Sequence, residues 1–299
     1  MRSVIAAATL WGCWSIVFRS AEAASTTPLS AAVETTVVFM VILACVGPIA
    51  LFVRLRPRGA EVRTARSHRQ WWALAVLGVV DAGNALCFFA AMQRTTVAIA
   101  VLCHCLAPLI VAAVSPWALR EKPQATTTAA LALSLCGLVL LLEPWGHASA
   151  HDLEGAALAL ASAGFYAGSV LLGKKLGGAF LVVELAAWPK LTSVPVLLLA
   201  VAVSSMSAPV SLEARPGLIL VLGGVVCGAL PLWLYYRGLA HLPASQVSVL
   251  TLLEPLVAVL VGVGVWGEPL GVGGLVGAAL MVAGAFLIAR RGPGDEVGA

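Results

Sequence analysis

Ten runs of about twenty apolar residues follow one another along this chain, separated only by short polar breaks, and no other feature limits its possible folds as much. A helix of that length spans a hydrocarbon layer with every internal backbone N–H and C=O satisfied within the segment. Windows of that kind predict spans over 3–20, 31–53, 70–91, 95–118, 126–143, 153–173, 179–203, 217–236, 243–265 and 271–289. The expected fold class is an all-α integral membrane protein of ten transmembrane helices. Composition points the same way: 61% of the 299 residues are hydrophobic and 11% are charged, against about 25% charged in an ordinary soluble domain. The longest connection, Arg54 to Arg69, has sixteen residues and leaves no room for a separate catalytic domain.

The formal charge of +4 does not imply a nucleic-acid partner, because the cations cluster between apolar runs, where they face lipid headgroups. With the N-terminus inside, fourteen Lys and Arg fall on the cytoplasmic side (Arg2, Arg54, Arg56, Arg58, Arg63, Arg66, Arg69, Arg120, Lys122, Lys174, Lys175, Arg237, Arg290, Arg291) and three outside (Arg19, Arg94, Arg215). That asymmetry predicts cytoplasmic termini, and the expected location is a cell membrane of the bacterial inner type, as a multi-pass protein. Arg2, the apolar run after it and Ala21-Glu22-Ala23 resemble a secretory signal with its cleavage site. The repeat described next instead requires this segment as a span. Seven cysteines lie in apolar stretches with no CxxC spacing. Cys103, His104 and Cys105 are helical neighbours about 100° apart and do not converge on one ion. No metal or cofactor is expected.

Sliding the chain over itself by 147 residues aligns its halves without a gap. FFAAMQRTTVAIAVLCHCLAPLIVAAVSPWALREKP falls on YYRGLAHLPASQVSVLTLLEPLVAVLVGVGVWGEPL, pairing Ala91 with Gly238, Pro108 with Pro255, Glu121 with Glu268 and, one helix later, Gly137 with Gly284. Five spans per copy, residues 1–147 and 148–299, place the copies in opposite orientation, an architecture used by transporters. The charges follow that topology: Glu121 stands between Arg120 and Lys122, whereas Glu268 stands between Gly267 and Pro269.

Several segments resemble the drug/metabolite transporter superfamily in its ten-helix EamA-type branch. They are TLWGCWSIV in the first helix, LREKP and WGEPL after the fourth and ninth, LLEPLVAVL in the ninth, and LCGLVLL and VAGAFLI closing each half. The resemblance covers nearly the whole chain. It implies two inverted five-helix repeats around a central substrate cavity, and movement of small metabolites, often outward. Two departures stand out. Glu34, Thr35 and Thr36 occupy the region where relatives often carry an arginine, and the ninth helix lacks the Lys and Arg with which sugar-phosphate relatives hold phosphate. A phosphorylated substrate is therefore disfavoured.

Ionisable groups at membrane depth are functional candidates, because each must be paired or hydrated to persist there. Here they are Asp81, His104, Glu184, Lys190 and Glu254. Glu254 lies mid-span beside Pro255, with Ser248 and Thr251 on a neighbouring arc. It is suited to a coupling proton or a substrate amine, or else the Glu-Pro pair only stabilises a kink. Pro108 and Pro255 lack the N–H that would bond the carbonyls of His104 and Thr251, so both helices are expected to kink beside the cavity. Alternatively, the kinks serve packing alone. His104 is either a proton-linked switch or a donor to a neighbouring carbonyl. Asp81 and Asn84 share a face of the third helix, as a polar wall of the cavity or as a clamp to another helix. Glu184 and Lys190 point apart on the seventh helix and need partners elsewhere, Glu254 being one option for Lys190. Among the aromatics Trp11, Trp14, Trp71, Trp72, Trp117, Trp145, Trp188, Trp233, Tyr235, Tyr236 and Trp266, most read as an interfacial belt. Trp14 and Trp188 fall away from their span ends.

These residues point to a secondary active transporter that exports a small polar or amphipathic metabolite by alternating access, an amino acid or related amine first, since the cavity candidates are mostly acids and hydrogen-bonders. A passive channel is the alternative. A membrane enzyme acting on lipid is a more distant one, as no HExxH, GxSxG or Walker pattern is present. The expected partners are a small-molecule substrate and the lipid bilayer; the sequence leaves the oligomeric state open.

Overall fold

Local chemistry sets several of the helix starts and stops. Ser67 Oγ accepts from the Gln70 N–H while the Gln70 side chain reaches back to the Ser67 N–H, and Thr96 Oγ1 accepts from the Ile99 N–H, so the third and fourth helices begin on capped turns. Gly267, with φ of 69°, ends the ninth in the left-handed region. The computed structural model describes residues 1–27, 29–56, 66–121, 124–143, 152–205 and 212–290. Among them are ten helices long and apolar enough to cross a membrane: α1 (Arg2–Ala24), α2 (Ala31–Leu55), α3 (His68–Met92), α4 (Val97–Ala118), α5 (Ala125–Leu142), α6 (Leu153–Leu176), α7 (Val182–Ser205), α8 (Ala214–Leu239), α9 (Ala244–Trp266) and α10 (Val272–Ala289). The described residues contain no strand. The ends run a few residues past the apolar windows, as where α1 continues through Arg19 and Glu22, because good helix formers extend a helix beyond its apolar part.

Five of the ten helices are interrupted. α1 breaks at Cys13, α4 at Cys105–Leu106, α7 at Trp188–Pro189 and α9 at Leu252, while α8 contains a π turn over Gly224–Ala229. Proline explains most of this. Pro108 and Pro255 follow the breaks in α4 and α9 by two or three residues, Pro189 lies within the break of α7, and Pro231 follows the π turn. The α4 and α9 interruptions fall at positions 147 apart in sequence. An interruption thus precedes each of the two prolines from which the sequence predicts a kink.

The helix pairs come in couples. The most extensive contact joins α5 to α10, and α3 packs on α6 as α8 packs on α1. Likewise α4 packs on α6 as α9 packs on α1, and α2 on α8 as α7 on α3. Exchanging each helix for its counterpart five places along reproduces the set, in line with an inverted repeat. The expected division at 147/148 lies outside the described residues. At the α5–α10 contact, a Cβ on Gly137 would meet the Gly277 carbonyl and one on Gly284 would meet Ser134 Oγ. Only the absence of side chains lets these two backbones approach so closely.

Large apolar side chains also point outward: Phe52 is 63% exposed, Leu199 66%, Trp117 82% and Val272 78%. A water-facing protein rarely exposes so much contiguous apolar surface, whereas lipid tails accommodate it.

Candidate functional site

A helix of small and apolar residues, α6, positions most of the interior polar groups. Ser162, Tyr166 and Ser169 recur at spacings of four and three residues, so one face of α6 carries all three hydroxyls toward α3, α4 and α9. Ser169 Oγ donates to Asp81 Oδ1 at 2.6 Å. Ser162 Oγ donates to Asn84 Oδ1 at 2.8 Å and also lies 2.9 Å from His104 Nδ1. Tyr166 OH donates to Thr251 Oγ1 at 3.3 Å. The sequence reading did not single out these three residues, although their helical spacing in an apolar segment was a visible signal.

The partner left open for Lys190 is Asp81. Lys190 does not pair with Glu254; its Nζ donates to Asp81 Oδ2 at 2.8 Å and sits 4.1 Å from the centre of the Phe39 ring. Asp81 lies midway along α3, which packs directly on α7, so it is the acid that the ammonium meets first. Lys190 is 3% exposed, and a buried ammonium is stable only beside such an acid and ring. Glu184 finds its partner in Arg66: the guanidinium grips both carboxylate oxygens, at 2.8 and 2.6 Å. Arg66 Nε donates to the Ala179 carbonyl, and the Phe180 ring packs against the guanidinium. The sequence reading counted Arg66 only as a loop cation, because nothing local shows that the chain folds it onto α7.

Glu254 is different. It is half-buried on α9 one turn after Thr251, and no hydrogen bond or ion pair to its carboxylate is present among the described residues. Gly12 of α1 packs on the backbone of Glu254, leaving no room there for a Cβ. Ser248 is fully buried and its hydroxyl donates to the Ser245 carbonyl within its own helix. Thr251 also donates to its own helix, at Ser248 O, while accepting from Tyr166.

A wall of aromatic rings runs past these groups. Trp14 stacks on Phe18 at 5.0 Å, Phe18 meets Phe89, Phe89 meets Phe88, and the His104 ring lies 4.7 Å from Phe88 and 5.4 Å from Tyr166. Trp188 stands at the break of α7, with its indole Nε1 buried and lacking a hydrogen bond of good geometry. The interfacial-belt expectation fails for Trp11, Tyr235 and Tyr236. Trp11 packs on Tyr235 at 5.4 Å and both tyrosines are buried, because α1 and α8 press together there. The described residues include no cluster of His, Cys, Asp and Glu able to hold a metal ion.

An ion pair stands at each end of the bundle. On the face where α1 begins, Glu121 lies 3.5 Å from Lys174 Nζ and accepts from the Ala244 N–H at the start of α9. Lys174 also donates to the carbonyls of Leu239 and Leu242. On the opposite face Glu268 pairs with Arg19 at 2.6 Å. Each pair links the end of a half's fourth helix to the first helix of the other half. The side chains of the first are 19% and 23% exposed and those of the second 48% and 47%. Screening by solvent therefore leaves the second pair the weaker.

The model of the EamA-like transporter family matches residues 3–143 and again 153–290. An uncharacterized transporter of Archaeoglobus fulgidus is 28% identical over 226 residues, covering 76% of this chain and 78% of that protein. An uncharacterized transporter of Bacillus subtilis, YwfM, is 28% identical over 210 residues, or 67% of each chain. One solved protein crystal structure, at 19% identity, superposes with a TM-score of 0.78 over 96% of this chain and 97% of its own, a likeness of fold. With ten membrane-crossing helices in two halves that both match its model, this chain belongs to the EamA-like transporter family.

Proposed function

We propose that this transporter is a secondary active carrier. It moves a small polar or amphipathic amine-bearing metabolite outward across the cell membrane, with cytoplasmic termini, by alternating access between its two five-helix halves. Glu254 takes the substrate ammonium or the coupling proton. The observation that carries this reading is the pattern of charge pairing. Asp81 is neutralised by Lys190 and Glu184 by Arg66, whereas Glu254, beside the break of α9, has no partner among the described residues. An unpaired carboxylate at that depth favours a cation or a proton as its counterpart. The aromatic wall beside it suits an apolar body and adds cation–π attraction for an ammonium group. The paired latches at the two faces support alternating access over a continuous pore, since each closes one end onto the other half. The outward direction follows the family resemblance.

Counterflow in proteoliposomes tests the reading. Vesicles preloaded with a panel of unlabelled amines should accumulate the matching labelled amine, saturably, and Glu254→Gln should reduce that exchange by at least about tenfold, the effect of losing one charge-assisted contact. A mutant that exchanges normally at every pH would remove Glu254 from the mechanism. Flux that is linear in concentration and indifferent to gradients would replace the carrier with a channel.

A further inference from the structure

Three side chains on three helices, His104 of α4, Ser162 of α6 and Asn84 of α3, form one hydrogen-bonded relay. The hydroxyl at its centre has a single hydrogen. Ser162 is fully buried and gives that hydrogen to Asn84 Oδ1, so the 2.9 Å contact on its other side requires His104 Nδ1 to be the donor. For a neutral imidazole, that leaves Nε2 as a bare acceptor. It also leaves the Asn84 amide hydrogens free to donate. Reversing the amide reverses every hydrogen bond in the relay, but the result is the same in kind: one outer end donates and the other accepts.

Neither outer end has a partner among the described residues, and neither is sealed: His104 and Asn84 are half-buried, and their outer nitrogens are not among the buried polar atoms without partners. Both are bonded to the same serine oxygen, His104 at 2.9 Å and Asn84 at 2.8 Å. The rings of Phe88 and Tyr166 flank the His104 end. Tyr166 then leads through Thr251 to the helix of Glu254.

We propose that this relay reads a neutral donor–acceptor group on the substrate, a primary carboxamide or a hydroxyl, and discriminates against a carboxylate at the same place. A carboxamide matches one donor and one acceptor in either orientation. A carboxylate offers acceptors only, so it satisfies one end and sets its charge against the lone pair at the other. The inference rests on the proposed amine carrier and narrows it. The substrate is an aromatic or apolar amine carrying an amide or hydroxyl, and an unmodified zwitterionic amino acid is disfavoured. His104 and Asn84 are then specificity-determining residues, and Ser162 is the positioning residue that fixes their polarity.

Calorimetric titration of the detergent-solubilised full chain with three probes tests this at pH about 6, where the amino groups are protonated. The probes are phenylalaninamide, phenylalanine and phenethylamine, which share ring and ammonium and differ at the position read by the relay. The wild type should bind the amide at least about tenfold more tightly than the amino acid, as expected when a buried polar pair is satisfied and not opposed. In both His104→Phe and Ser162→Ala that ratio should fall toward one while phenethylamine affinity holds, a separation that general loosening of the bundle would not give. Equal binding of amide and amino acid by the wild type overturns the inference and leaves the amine carrier standing. So does a preference that survives in whichever of the two variants folds. Failure of all three probes to bind removes the amine reading and this one together.

Discussion

Lys190 shows how strongly a single buried charge depends on its neighbour. Its ammonium is held by Asp81 and faces the Phe39 ring, so Lys190→Met leaves Asp81 and the Ser169 hydroxyl in an apolar interior without the cation. We expect a loss of about 3 kcal/mol in stability, the usual result of removing one partner of a buried pair. The double variant Asp81→Asn with Lys190→Met should recover most of it, as read by thermal melting in detergent. If the double variant melts no higher than the single, the pair is not what holds α3 to α7. A second residue-scale test lies outside the spans. Glu213 accepts from the Thr26 hydroxyl and N–H, and chiefly the hydroxyl bond holds its carboxyl below the ordinary value of 4.5. A carboxyl depressed on folding contributes stability above its unfolded value and loses it as pH falls through the folded one. The contact between residues 25–27 and 213 should therefore be unchanged from neutral pH down to about 5 and open in stronger acid. Thr26→Val should open it at neutral pH, with hydrogen exchange of the 25–27 amides as the measurement.

At the scale of elements, α5 and α10 act as a glycine-lined seam. A Cβ at Gly277 would meet the Gly137 carbonyl and the Leu141 N–H, both backbone atoms that cannot swing aside. Gly277→Ala should therefore force the helices apart at a cost of about 1–3 kcal/mol, seen as a lower melting temperature. Gly264 has open space around its would-be Cβ, and Gly264→Ala should be neutral or slightly stabilising on helix propensity alone. Equal effects of the two would remove the seam's special role. The breaks in α1, α4, α7 and α9 are the other feature of this scale. Prolines mark three of them, but Cys13 has no proline near it; there Gly12 lets α9 pack against the α1 backbone.

For the whole molecule, the two latches differ in burial and hence in weight. Glu121 has both an ammonium and the first N–H of α9, in half-buried surroundings. Glu121→Gln should therefore shift the population toward opening at the face where α1 begins by about tenfold, the result of weakening one charge-assisted contact. Glu268→Gln, whose pair with Arg19 is about half exposed, should shift the opposite face less, and high salt should mimic it. Spin-label distances across each face measure both. Equal shifts would show that burial does not set the strength of the latches.

The ten spans and the interruptions ahead of Pro108 and Pro255 were legible in the sequence because each depends on a local property: apolar length, and the missing N–H of a proline. The family too could be read from segments such as LREKP and WGEPL. Partners could not. That Lys190 meets Asp81, that Arg66 reaches Glu184, and that Ser162 joins His104 to Asn84 are contacts over 58 to 118 residues of sequence. No single helix encodes the rotation and crossing of its neighbours, so only the packed bundle determines which buried charge is neutralised and which, like Glu254, has no partner among the described residues.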